Sequence, residues 1–153
     1  MTIQLSTNSF TPGDTIPKKF TCSGADVSPE LSWPAPPAGT KSLALIVDDP
    51  DAPAGTWNHW LLYNLPPSVH ELPENQPHTA ELTNGALQGK NDFGKIGYNG
   101  PCPPPGKPHR YFFRLFALDS KLDLKSSADR GTLDQAIKGH VVGQGELMGT
   151  FGR

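Results

Sequence analysis

The residues able to do chemistry fall in two short clusters. The first lies in "LIVDDPDAPAGTWNHWLLYNL", Leu45 to Leu65, where Asp49 and Asp51 flank Pro50 and His59 stands between Asn58 and Trp60. The second follows "GYNGPCPPPGKP" and consists of His109, Arg110 and Tyr111. Carboxylates placed with imidazoles suit three chemistries. An Asp beside a His favours the imidazolium and fixes the ring, which gives a cationic donor for an anion. A mixed His and carboxylate set can ligate a metal ion. Two carboxylates can divide the acid and base work of hydrolysis. Taken one at a time, each residue also has a purely structural use: Asp49 and Asp51 as turn caps, His59 as a hydrogen-bonded core histidine, His109 and Arg110 as a solvated strand start. Polar groups set at the ends of apolar strands must find partners when buried, and this favours one shared site over four separate structural roles.

The elements around these clusters read as strands. Leu43, Ala44, Leu45, Ile46 and Val47 form a continuous apolar run of strand length, and Trp60, Leu61, Leu62, Tyr63 and Leu65 form another. Between them the prolines and Gly55 stop the ladder, so the charges sit in a loop at the strand ends. "HRYFFRLFALD" is a third strand, with Tyr111, Phe113, Leu115 and Ala117 on one parity. If the strands neighbour each other in one sheet, the two clusters share a rim.

The rest of the chain is punctuated by turns. "MTIQL" reads as a first strand, and "GADVSPELSWPAPPAGT" as irregular chain with Leu31 and Trp33 turned inward. Residues 66–95 form a long polar excursion anchored by Leu72, Leu82, Leu87 and Phe93, and "GELMGTFGR" reads as a last strand. The spacing predicts one clear helix over Thr132 to Lys138, with Thr132 and Gln135 as a capping box and Gly139 ending it. Gly 16 and Pro 17 together make 33 of 153 residues, about 22% against roughly 12% in average usage. Because the prolines are spread among apolar runs, short strands joined by turns explain them better than disorder. The expected fold is mainly β (α+β), a two-sheet antiparallel β-sandwich with one or two short helices, in a single domain spanning 1–153.

Composition narrows the function classes. Thirteen Lys and Arg against fifteen Asp and Glu give a net charge of −2 with no basic stripe, which argues against nucleic acid. The N-terminal "MTIQLSTNSFTPGD" has no basic and apolar leader pattern, and no apolar run approaches the roughly 20 residues of a membrane helix. A cytoplasmic protein with no membrane span is expected. Cys22 and Cys102 form no metal-binding pattern; two reduced thiols are the expectation, with a disulfide as the alternative. There is no G-x-S-x-G, H-E-x-x-H or Walker loop, so the expectation is no enzyme, no cofactor and no metal. A metal- or carboxylate-dependent hydrolase using the same Asp and His residues is the alternative.

"DPDAP", "WNHWLLYNL" and "GPCPPPGKPHRYFFRLFALD" occur in that order, with "FTCSGADVSPELSW" before them and "AIKGHVVGQGELMGTFGR" after. This series resembles the phosphatidylethanolamine-binding protein family, in particular its small bacterial and archaeal Raf kinase inhibitor-like branch. The resemblance implies a two-sheet β fold with a cavity for phosphate-like anions and phospholipid head groups. Carried over position by position, Asp49, Asp51, His59, Gly100, Pro101, His109 and Tyr111 would line it, and Arg110 would turn away as a structural ion-pair partner. Backbone N–H groups of the Gly-Pro loop would contact the phosphate, and the carboxylates would charge an imidazole or accept from an ethanolamine ammonium. The resemblance also brings protein kinases and serine proteases as partners to test. Two departures stand out: Tyr98 and Asn99 precede Gly100 where the family tends to carry small residues, and the chain stops soon after its last strand, where animal members add a helix. A cavity with a narrower or more polar rim, left open or closed by a second copy in a homodimer, is the corresponding expectation.

Overall fold

Apolar residues alternate along the strands, and that alternation sorts the molecule into layers. In a computed structural model describing residues 1–153, five strands form one antiparallel sheet in the order β5-β3-β2-β6-β7. They are β2 (Ser42–Asp49), β3 (Trp57–Leu65), β5 (Leu87–Gln88), β6 (His109–Leu118) and β7 (Val141–Phe151). A second, two-stranded antiparallel sheet pairs β1 (Leu31–Ser32) with β4 (Glu71–Leu72). The fold is therefore mostly β with two antiparallel sheets and one α-helix, as the sequence led us to expect.

The inner face of the large sheet carries Leu43, Leu45, Val47, Trp60, Leu62, Tyr111, Phe113 and Leu115, all buried in one cluster with Leu31 and Leu72 from the smaller sheet and Trp33 just after β1. Each such large side chain contributes about 1.5–3 kcal/mol by leaving water. The outer face presents Ala44, Ile46, Leu61 and Tyr63, which pack with Leu133 and Ile137 of α1 (Arg130–Ile137). Burial on both faces explains why β2 reads as an unbroken apolar run.

Two register shifts between β2 and β3 position the site. Val47 pairs with Trp60 while Asp48 pairs with Asn58, so His59 is an extra residue in a β-bulge. The bulge lets His59 and Trp60 both face inward, where strict alternation would send one of them out. At the other end Asn64, with φ 56°, absorbs the second shift and keeps Leu65 in the core.

Three local expectations are corrected. "MTIQL" makes only isolated bridges, Thr2 to Gln144 and Ser6 to Ser32; the chain bends where Leu5 N–H bonds back to Ile3 O, while Ile3 and Leu5 stay buried. The helix begins at Arg130, two residues early, because Asp129 is its N-cap and accepts from Thr132 N–H at 2.8 Å. That carboxylate takes the place of the proposed Thr132 and Gln135 box. Gly139, at φ 83°, follows the helix end as expected. Finally, Cys22 and Cys102 are joined in a disulfide with Cα atoms 5.3 Å apart. Their loops are already in register, since Cys22 N–H donates to Pro101 O and Tyr98 O–H to Phe20 O. Compartment statistics could not reveal that contact.

Candidate functional site

Strand parity divides the adjacent carboxylates of β2. Asp48 shares the outer face with Ala44 and Ile46, and there it accepts from Arg114 Nε and Nη2 at 3.1 Å and from Arg130 Nη1 at 2.9 Å. Arg130 also donates to Asn58 Oδ1, and Asn58 donates to Asp92. This network ties α1 to the sheet and was missed in the sequence, although the period of two puts Asp48 opposite Asp49. Asp49 turns inward, 3% exposed, and accepts from Asp51 N–H at 2.8 Å and from His109 Nδ1–H at 2.7 Å.

Around that pair is a cavity of about 170 Å³. Its polar wall is Asp49, His59, His109 and Tyr111; its apolar wall is Ala52, Pro53, Trp57, Phe93, Pro103 and Pro104, with Cys102 between. The two clusters of the sequence thus meet across β2 and β6, as shared neighbours in one sheet require. The aromatic rings pack edge-on, His59 at 5.3 Å from Tyr111 and 5.4 Å from Phe93, while His109 stacks on Tyr111 at 6.5 Å. Phe93 was read only as a loop anchor. It reaches the rim because Asn91 Oδ1 accepts from the N–H groups of Phe93 and Lys95 and shapes a turn.

The two histidines are held alike but paired differently. His59 Nδ1–H donates to Asn99 O at 2.7 Å, whereas His109 Nδ1–H donates to a carboxylate. Burial pushes His59 below the ordinary imidazole range, against the pull of the Asn99 carbonyl and the Asp49 charge. A neutral His59 with hydrogen on Nδ1 offers a lone pair at Nε2. Tyr111 is 1% exposed, and its hydroxyl lies close to the Asp49 carboxylate without making a well-formed hydrogen bond within the protein. Burial first, then the Asp49 charge, pushes its pKa up, so it remains a donor. A buried donor without a partner is costly unless something fills the space beside it.

Three of the candidate residues do not line this cavity. Asp51 turns to Arg110, accepting from its backbone N–H, Nε and Nη2 at 2.9 Å each, and those side-chain bonds hold its carboxyl down at about 2. Arg110 has the structural ion-pair role expected of it, and Asp51 is its partner. Gly100 donates its N–H to Asp26 Oδ1 at 2.7 Å, so that group is not free for an anion, and a Cβ there would run into Phe20 O. Pro101 O accepts from Cys22 N–H. Both residues stand behind the wall and fasten it. Tyr98 and Asn99 do likewise: Tyr98 is buried, and Asn99 orients His59. No group of three or more His, Cys, Asp or Glu side chains is arranged to hold a metal ion.

Comparison with known proteins agrees with this architecture. The chain is 48% identical over 151 residues to a UPF0098 protein of Methanothermobacter thermautotrophicus, covering 99% of both chains. A UPF0098 protein of Aquifex aeolicus is 44% identical, with 99% of this chain and 89% of that one covered. Among solved structures, a phosphatidylethanolamine-binding protein homologue from Chlamydia trachomatis superposes with a TM-score of 0.89 at 42% identity, covering 99% of this chain and 98% of that one. Escherichia coli YbcL, described as a member of the mammalian family, gives 0.91 at 34% identity with the same coverage. With its sheets, its cavity and these relatives, and with residues 6–152 matching the profile of the phosphatidylethanolamine-binding protein family, the chain belongs to that family.

Proposed function

We propose that this protein is a binding module whose cavity takes a small phosphate-bearing anion. The observation that carries the reading is Tyr111 on the cavity wall, whose buried hydroxyl is a donor that makes no well-formed hydrogen bond within the protein. His109 stands beside it and, when protonated, adds a charge-assisted N–H at Nε2. The Asp49 carboxylate fixes that ring, and both carboxylate oxygens are already engaged, so an ethanolamine ammonium finds less to bind than a phosphate does.

A non-catalytic role is favoured because the wall contains no Ser or Thr, and its one cysteine is bonded in the disulfide. One feature keeps the hydrolase alternative: Asp49 orders His109 as a carboxylate orders the imidazole of a general base. Phospholipid head groups, a kinase or serine protease target and a homodimer are the finer readings that family membership brings. A disulfide persists in oxidising compartments and in the cytoplasm of hyperthermophiles, which narrows the cytoplasmic reading to the latter setting. No helix is long and apolar enough to cross a membrane.

Calorimetric titration with inorganic phosphate tests the proposal. Wild-type protein should bind, and Tyr111→Phe should weaken binding by about tenfold, the loss of one hydrogen bond to a charged group. Equal affinities would remove Tyr111 from the site, and no binding to wild type would defeat the anion reading.

A further inference from the structure

One wall of the cavity is held by a covalent bond that a thiol can break. Residues 101–108 form no strand or helix, and Pro101, Pro103, Pro104, Pro105 and Pro108 have no N–H to offer a ladder. Past Cys102 this stretch makes only two hydrogen bonds to the rest of the protein, both with Arg153: Nε donates to Pro103 O, and the carbonyl accepts from Gly106 N–H. Pro103 to Pro105 is a stiff piece of chain, and Gly106 at its far end takes a φ of 138°, which L side chains rarely adopt. Cys22 lies on the outside of this arrangement. It is exposed together with Ser23, Gly24 and Ala25 of its own loop, whereas Cys102 is half-buried and lines the cavity. Exposed disulfides are the labile, regulatory ones, because a thiolate can reach them.

Resting on the anion reading above, we propose that the Cys22–Cys102 bridge is a redox switch on the cavity: a dithiol reductant opens it, the proline wall comes free of the Cys22 loop, and anion affinity falls. One thiolate of the reductant attacks the sulfur of Cys22, and Cys102 leaves as a thiolate that takes up a proton. The second thiol of the reductant then closes its own disulfide and releases Cys22. The protein gains two thiols, and the dithiol is oxidised by two electrons. The sheet survives this step, since neither cysteine belongs to a strand or to either core cluster. A wall that swings away admits water, and charge-assisted hydrogen bonds weaken when water competes for them. The coupling is reciprocal: the factor by which reduction lowers anion affinity is the factor by which a bound anion disfavours reduction.

The test uses the wild-type chain in both redox states. Oxidised protein is treated with dithiothreitol at neutral pH without denaturant, capped with N-ethylmaleimide and measured by mass spectrometry, while circular dichroism follows the fold. Two labels on a protein that retains its β spectrum are expected. Labelling that requires denaturant would overturn the proposal, and so would loss of the β spectrum on reduction, which would make the bridge a structural staple. Calorimetry with inorganic phosphate then compares the two forms. The reduced protein should bind about tenfold more weakly, and in glutathione buffers saturating phosphate should raise the ratio of oxidised to reduced protein by the same factor. Equal affinities of the two forms would overturn the switch and leave the anion site standing. No binding to either form would defeat the anion reading and the switch with it.

Discussion

Asp49 and Asp51 differ by two residues and a proline, yet one orders the cavity and the other fastens its outside. The difference is the partner: His109 for Asp49, Arg110 for Asp51. The Asp51 carboxyl is depressed to about 2 by Arg110, against about 3.9 in an unfolded chain. The folded state therefore holds fewer protons than the unfolded state between these values. The stability it contributes is full above the unfolded pKa and is lost as pH falls through the folded one. Acid titrations followed by circular dichroism should show Asp51→Asn less stable than wild type at neutral pH, with the gap closing between about pH 4 and pH 2. A gap independent of pH would mean that the ion pair does not titrate. The meeting of Asp49, His59, His109 and Tyr111 was legible in the sequence, because each lies where an apolar strand meets a polar loop. The pairing of Asp51 with Arg110 was legible only in part, since a carboxylate in a turn does not reveal which side it faces.

Among the elements, the apolar runs gave the three long interior strands of the sheet close to their true limits. The bulge at His59 could not be read, because "WNHWLLYNL" shows no break in its pattern and the shift exists only in pairing with β2. The proline wall from Cys102 to Pro108 was equally hidden. Its prolines have no N–H to give a ladder, and it is held by the Cys22 bridge together with Arg153, whose Nε donates to Pro103 O and whose carbonyl accepts from Gly106 N–H. Opening a bridge across 80 residues of chain frees a large loop in the unfolded state. A Cys22→Ser, Cys102→Ser double variant should be destabilised by about 2–4 kcal/mol in urea unfolding. Hydrogen exchange at Cys22 N–H, which bonds to Pro101 O, should rise more than exchange in the sheet. Unchanged midpoint and exchange would show that the bridge does not brace the wall.

For the molecule as a whole, the sheet brings chain segments some 50 residues apart to one rim because β2 is the neighbour of both β3 and β6. This topology turns two weak clusters into one site, and the excursion of residues 66–95 adds Phe93 to its rim. That contribution had no signature beyond a lone aromatic in a polar loop. The central claim is that an anion sits against Tyr111 and the two histidines. Arsenate has the charge and shape of phosphate and scatters anomalously, so diffraction from crystals soaked in it locates the anion without a choice of ligand model. The account predicts an anomalous peak inside the cavity, within about 3 Å of Tyr111 Oη and of Nε2 on His59 and His109. An empty cavity, with arsenate only at surface lysines or arginines, would contradict it.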